Sequence, residues 1–226
     1  MTPGGIPSAA ARRARIDQQR QAEHKRRTLH TGAHTMQPIK DPAILRGWMD
    51  VASQHDAEHP SGASWYLLLL IGFNTGLRIG DIVSLRVGEI RGHDRLIRLA
   101  QKTRKETSIK IRPSVRAAID QRLAGRDPDE FVFPSRADPS RKERCMNRGQ
   151  AYKIIRAIAD RAGYRGRVGC HTMRKTYAYQ LYQASGRNLS LVQYQLGHSS
   201  EAVTLKYIGL TQEVTDEAID KMPVIT

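Results

Sequence analysis

A mainly α-helical domain with one small antiparallel β-sheet is the fold class that the sequence predicts. From residue 37 onward most segments carry apolar residues at helical spacing. Only two neighbouring segments, Arg95–Ala100 and Thr107–Ile111, alternate with a period of two, and the charged turn between them indicates a β-hairpin. The chain has 226 residues, which is enough for one well-packed domain with a small extension.

Caps and apolar spacing predict the elements in order. Asp41 and Pro42 begin the first helix as its cap and first turn, and an apolar stripe follows as far as Ala52. The segment Ser64–Asn74 is apolar nearly all round, so this helix is expected at the centre of the core. Further helices are predicted at Ile79–Leu85, Pro113–Leu123, Asn147–Ala162, Thr172–Ser185, Leu189–Leu196, Ser200–Tyr207 and Gln212–Lys221, with a short extended segment at 131–133.

Composition narrows the class of partner and the compartment. Lys and Arg number 37 against 22 Asp and Glu, a net charge of +15, which favours a polyanion such as nucleic acid. The two cysteines, Cys145 and Cys170, form no CxxC pair, which argues against a disulfide framework and a Cys-based zinc site. The longest apolar run, Trp65–Phe73, is too short to span a bilayer, and no secretory signal is recognisable. A cytoplasmic, nucleoid-associated protein is expected.

Residues 1–36 form a basic arm that differs in composition from the rest. The arm has seven Arg or Lys against two acidic residues and almost no large apolar side chains, so it cannot bury a core. We expect it to be disordered, or to be a frayed helix that becomes ordered on DNA; a solubilising tail is the alternative. The globular, catalytic domain is then expected over residues 37–226.

Polar residues in otherwise apolar surroundings are the first candidates for chemistry. Arg78 follows the predicted core helix in NTGLRIGD, where a guanidinium must be paired or face an anion. Asp81 could supply that partner in a plain ion pair. His171 and Arg174 form an H-x-x-R pair, which would place both on one helix face. Neither pattern is specific alone.

Three more residues are equally ordinary when taken singly. Lys102 lies in the predicted hairpin turn, where charge usually means solvation. His198, in QLGHSS, is at a predicted junction between helices and could simply cap one. Tyr207, in TLKYIG, is one of eight tyrosines, and a tyrosine at a helix end commonly serves packing.

Taken together and in order, NTGLR, Lys102, HTMR, LGH and Tyr207 resemble the tyrosine recombinase (phage integrase) family. The resemblance covers residues 37–226. It implies the DNA breaking-rejoining fold of the family's catalytic domains, and a site-specific enzyme that cuts and rejoins DNA through a 3′-phosphotyrosyl intermediate, without metal, ATP or another cofactor. Members usually carry an upstream core-binding domain, and the 36-residue arm resembles instead the short forms that have a catalytic domain alone.

The resemblance also implies a role for each matched residue. Tyr207 would be the nucleophile, Lys102 the general acid for the departing 5′-oxygen, and His171 the group that takes the tyrosine proton. Two fork-shaped guanidiniums can bind the negative charge that develops on the phosphoryl oxygens in the transition state of strand transfer. The implied catalytic set is Tyr207, Arg78, Lys102, His171, Arg174 and His198, the last donating a hydrogen bond to a phosphoryl oxygen, with Asp81 in support.

Basic residues outside that set are candidates for phosphate contacts with double-stranded DNA. They are Arg104, Lys105, Arg141, Lys142, Arg144, Arg148 and Lys175. By the same resemblance the protein would act as a tetramer in a synapse of two duplexes. An accessory DNA-bending or core-binding protein could replace the missing domain, and the last helix could dock on its own chain or on a neighbouring one.

The sequence is also compatible with three alternative functions. A type IB topoisomerase uses a similar set of residues and would relax supercoils without a specific site. A DNA-binding regulator could have kept the fold and lost catalysis. A general basic nucleoid binder would show a steep salt dependence and no sequence preference.

Overall fold

A computed structural model describes residues 36–60, 63–99, 106–209 and 219–223. Over those ranges the chain forms nine helices and one two-stranded sheet. The helices are α1 (Pro42–Glu58), α2 (Trp65–Thr75), α3 (Ile79–Val83), α4 (Val87–Ile90), α5 (Pro113–Arg122), α6 (Arg148–Arg161), α7 (Thr172–Ala184), α8 (Leu189–Leu196) and α9 (Glu201–Ile208), and the strands are β1 (Arg95–Leu99) and β2 (Glu106–Lys110).

Helix α2 is the centre of the main hydrophobic core, as its sequence predicts. Its side chains from Leu67 to Phe73 are buried, and α1 and α7 both pack against it. Trp48 of α1 is 0 % exposed and has its ring 6.2 Å from that of Phe73 and 5.5 Å from that of Tyr164. This packing holds the end of α2, where Arg78 follows, in a fixed place.

The two strands pair antiparallel, in the register that joins Arg95 to Lys110 and Leu99 to Glu106. Leu96 and Ile109 face each other across the hairpin and are buried. The guanidinium of Arg98 donates to the carbonyl of Asp81 at 2.9 Å, so it ties β1 to helix α3. Lys102, Arg104 and Lys105, in the connection between the strands, lie outside the described residues.

The last three helices form a smaller apolar cluster of their own. Ala178 of α7, Val192 and Leu196 of α8 and Ile208 of α9 are buried together there. Helix α7 therefore contacts α2 on one side and α8 and α9 on the other. That central position lets side chains of α7 reach the ends of several helices at once.

The predicted elements are mostly present. Ile79–Leu85 is shorter than predicted, since helix α3 ends at Val83, and α4 was not predicted, because four residues carry no measurable periodicity. The extended segment at 131–133 forms an isolated bridge, from Phe131 to Arg86, and the next residue, Pro134, forms another with Cys145. Most of the predicted last helix, its residues 212–218, lies outside the described residues. No helix among the described residues is long and apolar enough to cross a membrane.

Candidate active site

Gly76 ends helix α2 and directs the chain to Arg78. Its φ of 63° is left-handed, and a Cβ at this position would collide with the ring of Tyr177, so glycine is required on both grounds. Arg78 is the N-cap of α3 and is exposed. Among the described residues it forms no ion pair within 4.0 Å, so the plain Arg78–Asp81 pair that the sequence allowed is not formed.

Arg174 lies between the carboxyl ends of two helices. It is 5 % exposed, and its guanidinium donates to the carbonyl of Gly76 at 2.5 Å and to that of Leu196, the last residue of α8, at 2.6 Å. Helix carboxyl ends carry unpaired carbonyls and partial negative charge, which favours a cation there. Its Nε is buried and has no hydrogen-bond partner among the described residues.

His171 is the N-cap of α7, directly before Thr172, where the sequence predicts the helix to begin, and three residues before Arg174. From this position its Nδ1 lies 2.6 Å from the hydroxyl of Tyr207 in a hydrogen bond. Desolvation of the ring, followed by the positive charge of Arg174, lowers the pKa of His171 below its usual value. The imidazole is therefore neutral at pH 7 and able to accept a proton.

Tyr207 is on the last turn of α9, where its phenol is half-buried among the other candidates. The guanidinium carbon of Arg174 is 6.0 Å from the centre of its ring, and the His198 ring is 4.6 Å away. Burial raises the pKa of Tyr207, and the charge of Arg174 opposes that effect. The phenol is thus protonated at pH 7 and needs a base to become a nucleophile.

His198 follows Gly197, the left-handed residue that ends α8. The cap of α9 is Ser200, so His198 does not cap a helix as its sequence context allowed. Its Nδ1 is 3.1 Å from the hydroxyl of Thr204. Burial, followed by the charges of Arg174 and Arg78, lowers the pKa of His198 to about 4.

The site as a whole is positively charged and built around one phenol. The charge of Arg78 lowers the pKa of His171, of His198 and of Arg174, which places all four side chains in one electrostatic environment. Asp81, whose charge acts on Arg174, contributes through that field and not through a contact. Such a site fits a singly charged anion whose charge grows during reaction. Five of the six predicted catalytic residues are brought together, and Lys102 is the one outside the described residues.

Buried Asp138 organises the loop that carries several predicted DNA contacts. Its carboxylate accepts from the backbone amides of Ser140, Glu143 and Arg144, and hydrogen bonds led by the Ser140 hydroxyl lower its pKa to about 2. In this loop Arg141 pairs with Glu130 at 3.1 Å and Lys142 with Asp127 at 2.6 Å. Arg144 is exposed.

The two remaining candidates for DNA contact differ in exposure. Arg148 is exposed on the first turn of α6, and its guanidinium lies against Gly80 of α3, close to Arg78 in sequence. Lys175 is 8 % exposed, and its ammonium donates to the carbonyls of Met36 at 2.7 Å and Lys206 at 3.4 Å. This placement joins the ammonium to two backbone carbonyls close to Tyr207, and the predicted contact of Lys175 with DNA stays a prediction.

Three features of the site were not found from the sequence. They are the carbonyl partners of Arg174, the anchoring of Lys175 and the contact of His198 with Thr204. The glycines after α2 and α8 were a usable signal for the first, since each marks a helix carboxyl end that attracts a cation. No sequence signal marks the other two.

The chain is similar to known proteins in sequence and in fold. The model of the phage integrase family matches residues 48–213. The Probable integrase/recombinase YoeC of Bacillus subtilis (strain 168) is 34% identical over 153 residues, which cover 68% of this chain and 81% of that protein. The Tyrosine recombinase of Pseudothermotoga lettingae is 24% identical over 160 residues, covering 70% of this chain and 53% of that protein. The chain therefore spans about half the length of the second relative.

A solved structure shares the fold. The XerH site-specific recombinase bound to its palindromic difH substrate, in a post-cleavage complex, superposes with a TM-score of 0.62 at 19% identity, over 83% of this chain and 54% of that one. The helical fold with one small antiparallel sheet is thus confirmed as that of the recombinase catalytic domains. On the family match and the identity to its relatives, the chain belongs to the phage integrase family.

Proposed function

We propose that this protein is a site-specific DNA recombinase that cuts and rejoins DNA strands through a phosphotyrosine. The observation that carries the proposal is the hydrogen bond of 2.6 Å between the Tyr207 hydroxyl and His171, beside the guanidinium of Arg174. A phenol joined to a neutral imidazole and surrounded by permanent positive charge suits attack on a phosphodiester. Membership of the phage integrase family supports the same activity.

In the proposed cleavage step the Tyr207 oxygen attacks phosphorus and the bond to the 5′-oxygen breaks. The phenol proton passes to Nδ1 of His171, and the departing oxygen takes a proton from Lys102, which completes a free 5′-hydroxyl. A 3′-phosphotyrosyl bond is formed, so the energy of the phosphodiester is retained. Attack by the 5′-hydroxyl of another strand reverses these transfers and rejoins the DNA.

The guanidiniums act on the phosphate in this proposal. Arg78 is exposed and unpaired among the described residues, so it is available to bind a phosphoryl oxygen. Arg174 is already fixed by two carbonyls, and its unpartnered Nε retains one donor. Fixed donors that meet developing charge lose little free energy to reorganisation during the reaction.

The partners follow from the proposed chemistry. Exchange between two duplexes breaks four strands, and each chain has one such tyrosine, so we propose a tetramer on double-stranded DNA. We further propose that residues 37–226 are the catalytic domain. In the complex the basic arm, residues 1–36, would contact DNA, and an accessory protein would supply further DNA contacts. The reaction would take place in the cytoplasm, at the nucleoid.

Trapping the covalent intermediate tests the proposed function. The protein is incubated with a pool of duplexes whose central sequence is randomised and whose cleaved strand carries a nick just downstream, so that the short 5′-hydroxyl fragment diffuses away. A denaturing gel should show a protein–DNA adduct that retains a label on the 5′ end of the cleaved strand and loses one on its 3′ end. Sequencing the trapped DNA identifies the site.

The same experiment separates the alternatives. A mobility shift without any adduct indicates a silent DNA-binding regulator, and a shift that is steeply salt-dependent with no sequence preference indicates a nucleoid binder. An adduct on any sequence, together with relaxation of supercoiled plasmid, indicates a topoisomerase. Each of these results contradicts a site-specific recombinase.

The lowered pKa of His171 predicts how cleavage depends on pH. The ring must be neutral to take the tyrosine proton, and desolvation together with nearby positive charge moves its pKa below 6.5. The second-order rate constant for adduct formation, which reports the free enzyme, should therefore stay on its plateau at pH 7 and fall only below about pH 6.5. His171→Gln should remove this acid limb, and His198→Gln should keep it. A limb centred above pH 7 would contradict the assignment.

The burial of Lys175 predicts that it makes no phosphate contact. Lys175→Met removes an ammonium that donates to two backbone carbonyls, so the slope of log affinity for DNA against log salt should equal that of the unaltered protein. Arg144→Met is the matched control: its exposed guanidinium can reach a phosphate, and losing one such contact reduces the slope by about 1. Fluorescence anisotropy at several salt concentrations measures both slopes. An equal reduction in both variants would show that Lys175 does contact DNA.

A further inference from the structure

Residues 36–39, which we call the bracing segment, are hydrogen-bonded to helix α7 at both of their ends. The backbone amide of Ile39 donates to Oγ1 of Thr176 at 3.0 Å, and both residues are buried. The carbonyl of Met36 accepts from the ammonium of Lys175 at 2.7 Å. These bonds join positions 137 and 139 residues apart, so the tertiary fold holds the bracing segment in place.

The bracing segment also packs against the carboxyl end of α9. Gly209 follows the last residue of that helix and has a left-handed φ of 66°. A Cβ at this position would lie 2.8 Å from Oε1 of Gln37 and 2.9 Å from Cδ of Pro38. Glycine therefore ends the helix and at the same time leaves room for the bracing segment beside it.

Lys175 joins the bracing segment to the residue before the nucleophile. Besides the Met36 carbonyl, its ammonium contacts the carbonyl of Lys206, at 3.4 Å. That carbonyl is one of the last four of α9, which lack partners within the helix and favour a nearby cation. The ammonium is 5.5 Å from the centre of the Tyr207 ring, and Lys175 is buried. One buried ammonium thus bonds both to the bracing segment and to the last turn of α9.

The side chain of Met36 contacts the chain that leads to His171. A Cβ at Gly169 would collide with Sδ of Met36, so this side chain lies directly on the glycine. The bracing segment therefore touches the chain two residues before His171 and two residues after Tyr207. These are the two residues whose side chains share the hydrogen bond of 2.6 Å.

We propose that the bracing segment holds Tyr207 and His171 within hydrogen-bond distance, and that Lys175 is the positioning residue that joins it to α9. Tyr207 is on α9 and His171 is the N-cap of α7, so their hydrogen bond depends on the spacing of two helices. Proton transfer needs the two heavy atoms about 2.6–3.2 Å apart. The effect on cleavage rests on the proposed function, whereas the spacing of the helices is a property of the free protein.

Hydrogen exchange of the free protein, followed by mass spectrometry, tests the spacing. Lys175→Met removes a donor from two carbonyls, and Thr176→Val removes the acceptor of the Ile39 amide but keeps the shape of the side chain. In both variants the amides of α9 should exchange about 5-fold faster, the scale of losing one hydrogen bond. Thr176→Ser keeps the hydroxyl and should keep the unaltered exchange.

Ser64→Ala is the control for a general loss of stability. It removes the hydroxyl that caps α2, a helix end outside the bracing segment and the site, and should leave the exchange of α9 unaltered. Unaltered exchange of α9 in Thr176→Val overturns the proposal. Exchange that rises equally in Ser64→Ala overturns it as well.

Adduct formation at saturating DNA gives the second readout. Thr176→Val should slow it by about 10-fold to 100-fold with DNA affinity unchanged, since a displacement of about 1 Å costs a factor of this size. The substitution changes no charge, so a weaker electrostatic field at Tyr207 cannot explain the slower rate, as it could in Lys175→Met. Thr176→Ser and Ser64→Ala should react at the unaltered rate.

A double-mutant cycle with His171→Ala shows whether the bracing segment acts through the Tyr207–His171 pair. In the His171→Ala background Thr176→Val should slow adduct formation by less than about 2-fold, because the hydrogen bond on which it acts is already lost. An equal factor in both backgrounds overturns the proposal. Where Lys175→Met fails to fold, the two variants of Thr176 decide the outcome. Absence of any adduct in the unaltered protein counts against the proposed recombinase alone, since hydrogen exchange is measured without DNA.

Discussion

Tyr207→Phe should abolish the covalent protein–DNA adduct while leaving the protein folded and able to bind DNA. The substitution removes one oxygen, the atom that would attack phosphorus, and no neighbouring side chain can replace it. Loss of a nucleophile lowers a turnover rate by roughly 10⁶-fold, so no adduct should be visible on the gel. The folded state loses the hydrogen bond to His171, which contributes about 1 kcal/mol to the free energy of unfolding, together with the interaction of the hydroxyl with Arg174.

A second tyrosine provides the control for this prediction. Tyr194 of α8 is 72 % exposed, and Tyr194→Phe should form the adduct at the unaltered rate. Mobility shifts on the trapped sequence should be equal for both variants. Peptide mapping of the adduct should place the DNA fragment on Tyr207. An adduct that persists in Tyr207→Phe would refute the assignment of the nucleophile and, with it, the proposed step.

The part of the fold that positions Arg78 could be predicted from the sequence. The apolar segment that ends before Gly76 predicts a buried helix that breaks at the glycine, and the structure shows this glycine to be left-handed, with Arg78 two residues later. Alternation in β1 and β2 likewise specified the hairpin, because only one register buries Leu96 and Ile109 together. Helix α2 and the hairpin could both be predicted from local patterns, because the apolar spacing and the turn residues that define each of them lie within the element itself.

The contacts that complete the site could not be predicted in this way. Arg174 bonds to carbonyls at Gly76 and Leu196, 98 and 22 residues away, and a carbonyl is the same in every residue type. Lys175 is a basic residue of the type that contacts DNA, but it is buried and donates to the carbonyl of Met36. That contact depends on the packing of the segment at Met36 against α7, 139 residues away in sequence. The start of α7 at Thr172 was predicted, but the hydrogen bond from its N-cap His171 to Tyr207 joins residues 36 positions apart and has no local signal.

Substitutions of Arg78 and Arg174 should affect the free energy of unfolding differently, although both arginines are expected to bind the same phosphate. Arg78 is exposed and forms no ion pair among the described residues, so Arg78→Ala should change the free energy of unfolding by less than about 0.5 kcal/mol. Arg174 donates to two buried carbonyls. Arg174→Ala leaves both without that donor, and we expect the free energy of unfolding to fall by about 2–6 kcal/mol, since each unsatisfied buried group costs about 1–3 kcal/mol.

Both substitutions should lower the rate of adduct formation by a similar factor. Each removes a fixed positive donor from the phosphoryl group, an effect of about 10²–10³-fold on the rate of adduct formation. Lysine should rescue neither one fully, because a point charge cannot make the two parallel bonds of a guanidinium fork. Arg174→Lys should in addition remain less stable than the unaltered protein, since one ammonium cannot span the carbonyls of Gly76 and Leu196.

Urea unfolding and single-turnover trapping measure the two quantities separately. Arg156→Ala serves as the surface control, since this arginine is exposed on α6 and forms its ion pair with Asp160, at 3.1 Å, far from the site in sequence. It should alter neither quantity. A stable Arg174→Ala would contradict the role given to the two carbonyls, and an Arg78→Ala that cleaves at the unaltered rate would remove Arg78 from the site. The free energy of unfolding depends on the carbonyl contacts of Arg174, whereas the rate of adduct formation depends on the contact of each guanidinium with the phosphate. The two variants therefore distinguish an arginine that stabilises the folded site from one that only binds the phosphate.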